Sequence, residues 1–115
     1  MNGLEEMIAD FCRRNLCDYT PDVCRRVMDA NETILDNDGF LVFNTVENEL
    51  HIIFCYARPG NHYVCNQLLT TAYHIGRSRG CTVAQMITRR DAKAMQKRLP
   101  DYRPVGVIFE KELVQ

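Results

Sequence analysis

A chain of 115 residues with 46% hydrophobic and 25% charged residues, six Gly and four Pro has room for one core and one site, and is neither fibrous nor low in complexity. Its formal net charge of −1 hides a division: residues 1–57 carry four Lys or Arg against eleven Asp or Glu, and residues 58–115 carry ten against four. A basic second half suits a phosphate-bearing ligand or nucleic acid, and equally a set of solvated helix faces.

The opening MNGLEEMIADF is acidic and charge-interrupted, and no apolar run reaches membrane-spanning length. We therefore expect a cytoplasmic protein without a membrane anchor. Leu4, Met7, Ile8, Phe11 and Cys12 recur at helical spacing, which predicts a core-facing helix over residues 4–16. Thr20 as cap and Pro21 in the first turn open a second helix. Its buried face is expected to be Val23, Cys24, Val27 and Met28, with Asn31 as its stop. DNDGF is turn chemistry, and two β-rich runs follow, FLVFNTV and LHIIFCYA, joined by a hairpin-length ENE. The second run is apolar on both faces and should sit inside the sheet.

Val64, Leu68, Ala72 and Ile75 mark a long helix from about His62 to Arg79, with Gly80 as terminator. CTVAQMIT reads as a strand, RRDAKAMQKRL as a short basic helix ended by Pro100, and VGVIFEKEL as a last strand. The order is helix, helix, strand, strand, helix, strand, helix, strand. It predicts one α/β (α+β) domain over residues 1–115, with N-terminal helices in 1–39 and a core in 40–113, helices covering both sheet faces.

The segment YARPGNHYVC carries the most chemistry. A strand that enters a helix through a tight turn presents unpaired backbone N–H groups and the positive end of the helix dipole, which together can bind an anion. Arg58 is close enough to assist. Six cysteines, at 12, 17, 24, 55, 65 and 81, form no CxxC pair. Buried thiols in a reducing compartment are expected rather than a disulfide framework. His51, His62 and His74 with Cys55, Cys65 and Cys81 lack any standard zinc spacing, so no metal is expected. The cations Arg77, Arg79, Arg89, Arg90, Lys93, Lys97, Arg98 and Arg103 could form a phosphate-tracking face, but no aromatic interleaving or recognition motif accompanies them.

Residues 40–112 resemble the core of the GCN5-related N-acetyltransferases: a hairpin, a pyrophosphate-binding turn, a long helix, a strand, a short helix and a closing strand. The frame LLTTAYHIGRSRGC, with Leu68 and Leu69 followed by Gly80 before a strand, is the strongest match. The resemblance implies a mixed, mainly antiparallel sheet, acetyl-CoA or CoA as cofactor, and acyl transfer to an amine. It places the cofactor turn on Gly60, Asn61, His62, Tyr63, Val64 and Cys65, where bulkier residues replace the family's expected glycines, and makes Tyr56, Arg58 and Gly60 to Val64 the cofactor-binding candidates. Since the sequence opens on a predicted helix, the family's first strand is not expected here, and Gln96 stands where many members carry a Tyr general acid.

Acyl transfer would need a base, for which Glu47, Glu49 and His51 are available; Glu49 and His51 are the catalytic candidates, and Tyr56 and Tyr102 are available proton donors. The chain also resembles the reduced acetyltransferase-like proteins of bacteriophages. That implies the alternative of a non-catalytic scaffold that dimerises or binds a host or virion protein.

Overall fold

The structure is a computed structural model that describes residues 3–14, 20–87, 101, 103–105 and 108–113. Its elements are α1 (Gly3–Arg14), α2 (Pro21–Ala30), β1 (Glu32–Asp36), β2 (Gly39–Val46), β3 (Glu49–Ala57), α3 (His62–Ser78), β4 (Val83–Ile87), β5 (Arg103–Val105) and β6 (Ile108–Glu112). The strands form one mixed sheet in the order β1-β2-β3-β4-β6-β5. β3 and β4 run parallel from Glu49↔Val83 to Ile52↔Met86. β4 with β6, and β5 with β6, run antiparallel. Two-residue turns at 37–38 and 47–48 reverse the chain between β1, β2 and β3.

The expected helix boundaries follow from local chemistry. Thr20 has extended backbone angles and its Oγ1 accepts from Val23 N at 3.2 Å, while Pro21 opens α2 where its missing N–H costs nothing. Asn31 ends α2, its N–H donating to the Met28 carbonyl. Cys24 and Met28 are buried as expected, but Val23 is 40% exposed and Val27 only half-buried, so the α2 stripe is narrower than its spacing predicts.

Three expectations need correction. β1 falls where the sequence suggests only a stop and a turn; it is an edge strand without a single buried residue. The closing strand is two short strands, β5 and β6, and Pro104 stands in the outermost, where a missing N–H is tolerated. β3 is interior as expected, but its two faces differ: Leu50, Ile52, Phe54 and Tyr56 are buried, and the alternating residues are only half-buried. The predicted basic helix over 89–99 lies outside the described residues.

The chain divides into two compact units, Met1–Val42 with Phe54–Thr70, and Phe43–Ile53 with Thr71–Gln115. In the first, Phe11 of α1 packs on Phe40, Phe54 and Tyr56 with ring centroids 5.0–6.3 Å apart. Gly39, the residue before Phe40, instead lies beneath Val64 and Leu68 of α3. Adjacent residues of β2 thus face different helices, and this part of the sheet carries α1 on one side and α3 on the other. A Cβ on Gly39 would stand 2.4 Å from the Tyr56 carbonyl oxygen, so only glycine admits this approach.

In the second unit, Leu50 packs against Gly76 of α3, and the Arg79 guanidinium lies 5.8 Å over the Phe43 ring. Asn48 in the β2–β3 turn bonds Thr82 through both backbone and side chain. Among the described residues no helix is long and apolar enough to cross a membrane.

Candidate functional site

Two groups of candidate residues emerge, one in each unit. The first surrounds the turn from β3 into α3. Arg58 N donates to the Asp38 carbonyl at 2.7 Å, Asn61 N to Arg58 O at 2.9 Å and Val64 N to Asn61 O at 2.9 Å. Gly60 has φ +83° with open space where a Cβ would be, which lets the chain reverse sharply into the helix. Among the described residues the N–H groups of Gly60, His62 and Tyr63 meet no backbone carbonyl. These three are the amides left to an anion at the positive end of a 17-residue helix.

The amides of Asn61 and Val64 are already committed. The Val64 side chain, 2% exposed, sits in the core above Gly39. Neither residue therefore has an N–H left for an anion. The bulk introduced by Tyr63 is directed outward, that residue being 51% exposed. Arg58 lies beside Asp38 at 3.6 Å and Glu6 at 3.9 Å, so carboxylates already balance its charge, and the amides are the stronger anion feature.

A cleft of about 570 Å³ opens beside this turn, lined by Arg58, Pro59 and Asn61 together with Tyr56 and, from α1, Asp10, Arg13 and Arg14. Its chemical centre is Asp10, which the sequence did not single out. Tyr56 Oη donates to Asp10 Oδ2 at 2.5 Å, and Arg13 and Arg14 pair with the same carboxylate. The Tyr56 hydrogen bond, with the two arginines adding to it against the opposing effect of burial, holds the Asp10 carboxyl below its usual range. Burial first, and then the Asp10 contact, pushes the Tyr56 hydroxyl up to about 12. The pair is thus a neutral phenol donating to a carboxylate, with cations on the far side. The signal available in the sequence was Asp10 with arginines three and four residues on; its tie to Tyr56 spans 46 positions.

The second group is Glu49 and His51 on β3. Side chains two apart on a strand share a face, and His51 Nε2 lies 3.1 Å from Glu49 Oε2. A carboxylate only accepts, so Nε2 is the donor in this contact, and in the neutral form of the ring Nδ1 is the lone-pair nitrogen. Glu47, the other acid considered, occupies the hairpin turn with φ 55°. His74 is exposed on α3. Arg90, Gln96 and Tyr102 lie outside the described residues. Among the described residues no three His, Cys, Asp or Glu side chains are placed to hold a metal ion.

A mixed sheet flanked by α1, α2 and α3, with parallel β3 and β4 joined through α3, defines an α+β fold. No protein-family model matches the sequence, and no curated protein sequence matches it. Solved structures do. Ard1 from Thermoplasma volcanium aligns at TM-score 0.73 and 10% identity over 100% of this chain and 95% of its own. Tetrahymena GCN5 aligns at 0.70 and 11% identity over 96% and 87%. N-acetylglutamate synthase from Neisseria gonorrhoeae, solved with coenzyme A and N-acetyl-glutamate, aligns at 0.73 and 11% identity over 97% of this chain and 32% of that one. The chain has the fold of the GCN5-related N-acetyltransferases.

Proposed function

We propose that this protein binds a CoA thioester at the turn from β3 into α3 and transfers its acyl group to an amine. The observation that carries the reading is the set of three uncommitted amides, of Gly60, His62 and Tyr63, at the start of α3. They fit an anionic cofactor group, because they lie where the helix dipole favours negative charge and the open space at Gly60 leaves the backbone approachable. The fold adds support, since the synthase with this fold was solved with coenzyme A.

The thioester supplies an activated carbonyl; the remaining work falls to the chain. Gly60, His62 and Tyr63 would hold phosphate oxygens through their N–H groups, and Arg58 would add a partly balanced cation. Glu49 and His51, in the other unit, are the candidate base that the sequence offers. The Glu49 carboxylate would accept from Nε2, which leaves Nδ1 of the neutral ring able to take a proton. Tyr56, held neutral and protonated, is a donor whose hydroxyl is occupied by Asp10, so we assign it to shaping the cleft rather than to proton transfer.

The test is thermal unfolding with and without acetyl-CoA or CoA. A ligand at one hundred times its dissociation constant stabilises the native state by about 2.7 kcal/mol, so a clear rise in Tm is expected. No rise at millimolar ligand would contradict the reading and leave the fold as a protein-interaction scaffold. If binding holds, Glu49→Gln and His51→Gln should each lower kcat by about 10²-fold or more while CoA affinity stays unchanged.

A further inference from the structure

The described cysteines include two neighbouring pairs, and their surroundings differ. Cys12 of α1 and Cys24 of α2 are 6% and 0% exposed, and their thiols hydrogen-bond to each other. Burial pushes both upward, Cys24 to about 12, so neither is a ready nucleophile. Cys55 of β3 and Cys65 of α3 are half-buried instead, with Sγ atoms 2.7 Å apart and the Cys55 thiol 4.0 Å from the Cys65 carbonyl oxygen. A disulfide bond measures about 2.05 Å. Closing this pair thus asks the sulfurs to move together by only about 0.65 Å, and a small oxidant can reach them.

We propose that Cys55 and Cys65 form a redox-active dithiol that hydrogen peroxide converts into an intramolecular disulfide. One thiolate attacks a peroxide oxygen, breaking the O–O bond to give a sulfenic acid and a hydroxide that leaves as water. The second sulfur attacks the sulfenic sulfur, forms the S–S bond and expels a second water. Two thiols and one peroxide become one disulfide and two waters, and the two electrons lost by sulfur reduce the peroxide. The ring so closed contains residues 56–64, the whole turn between β3 and α3. Oxidation would therefore staple that turn and raise the melting temperature by restricting the unfolded chain. This inference is independent of CoA binding.

Peptide mapping tests it on the full chain. Because Arg58 precedes a proline, trypsin releases residues 27–77 as one peptide holding Cys55 and Cys65 and no other cysteine. After peroxide, denaturation and alkylation, this peptide should be recovered unalkylated and lighter by two hydrogens, and doubly alkylated when reductant precedes alkylation. Cys12 and Cys24 should be alkylated throughout. The oxidised protein should also melt higher than the reduced one, an increase that reductant reverses and Cys55→Ser abolishes. Recovery of the peptide doubly alkylated, carrying sulfinic acid, or cross-linked to the peptide bearing Cys17 would overturn the proposal.

Discussion

The two ends of α3 use the same device and finish differently. Gly60 before the helix and Gly80 after it both have φ +83° and open space at the missing Cβ. At the C-terminal end the chain closes on itself: Gly80 N donates to Arg77 O at 3.0 Å and Cys81 N to Gly76 O at 2.9 Å, capping the last carbonyls. At the N-terminal end the amides of Gly60, His62 and Tyr63 meet no such partner among the described residues. A helix end satisfied from within is structural, whereas one left open on the surface has donors to spend on a ligand. The contrast separates a scaffold corner from a candidate site although the glycines are alike.

Substitutions at both ends can sharpen that contrast, and the largest effect is expected beneath the open one. Gly39→Ala places a Cβ against the Tyr56 carbonyl oxygen, a backbone atom that cannot swing aside, and should cost about 3 kcal/mol. Beneath the closed end, a Cβ at Gly76 meets Leu50 Cδ2 at 3.2 Å, the tip of a flexible side chain. There the gain of about 0.8–1 kcal/mol in helix propensity offsets the crowding, so Gly76→Ala should unfold in urea within about 0.5 kcal/mol of the parent.

Tyr56→Phe ranks next, removing the hydrogen bond to Asp10 at a cost of about 2 kcal/mol near neutral pH. The deficit should depend on pH at both extremes. Asp10 is held below its ordinary 3.8, so its contribution is present above that value and fades as pH falls through the lower folded-state one. Tyr56 is raised from 10 to about 12, so its contribution is complete below pH 10 and lost as pH rises toward 12. Melting curves of parent and variant should therefore converge in acid and again in strong base. A gap constant from pH 2 to pH 12 would show that the pair is not coupled in solution. Among the destabilising substitutions the smallest losses are those of Gly60→Ala and Gly80→Ala, each expected to cost about 1 kcal/mol for the left-handed backbone; unequal losses would mean that the two turns are not the same device.

The helices were legible in the sequence because their signals are local. Thr20, Pro21 and Asn31 mark α2 by hydrogen bonds within four residues, and α3 begins at the expected His62 and ends one residue before the expected Arg79. β1 was not legible for a physical reason: an edge strand that buries no residue has no apolar alternation to display. The turn from β3 into α3 was found as a place, but which amides it frees was not, since that depends on where the N–H groups of Asn61 and Val64 go. Asp10 was missed because its partner Tyr56 is distant in sequence, and a long-range contact leaves no trace in periodicity. The Cys55–Cys65 pair was hidden for the same reason, since only the fold brings strand and helix together.

The open end of α3 is tested most directly by His62→Pro. Proline is accepted at the first helical position, so the variant should fold and melt like the parent while lacking one of the three amides. Calorimetric titration with CoA should then show affinity reduced about tenfold or more, the equivalent of one hydrogen bond to a charged group. Equal affinities in parent and variant would contradict the assignment of the cofactor to this turn.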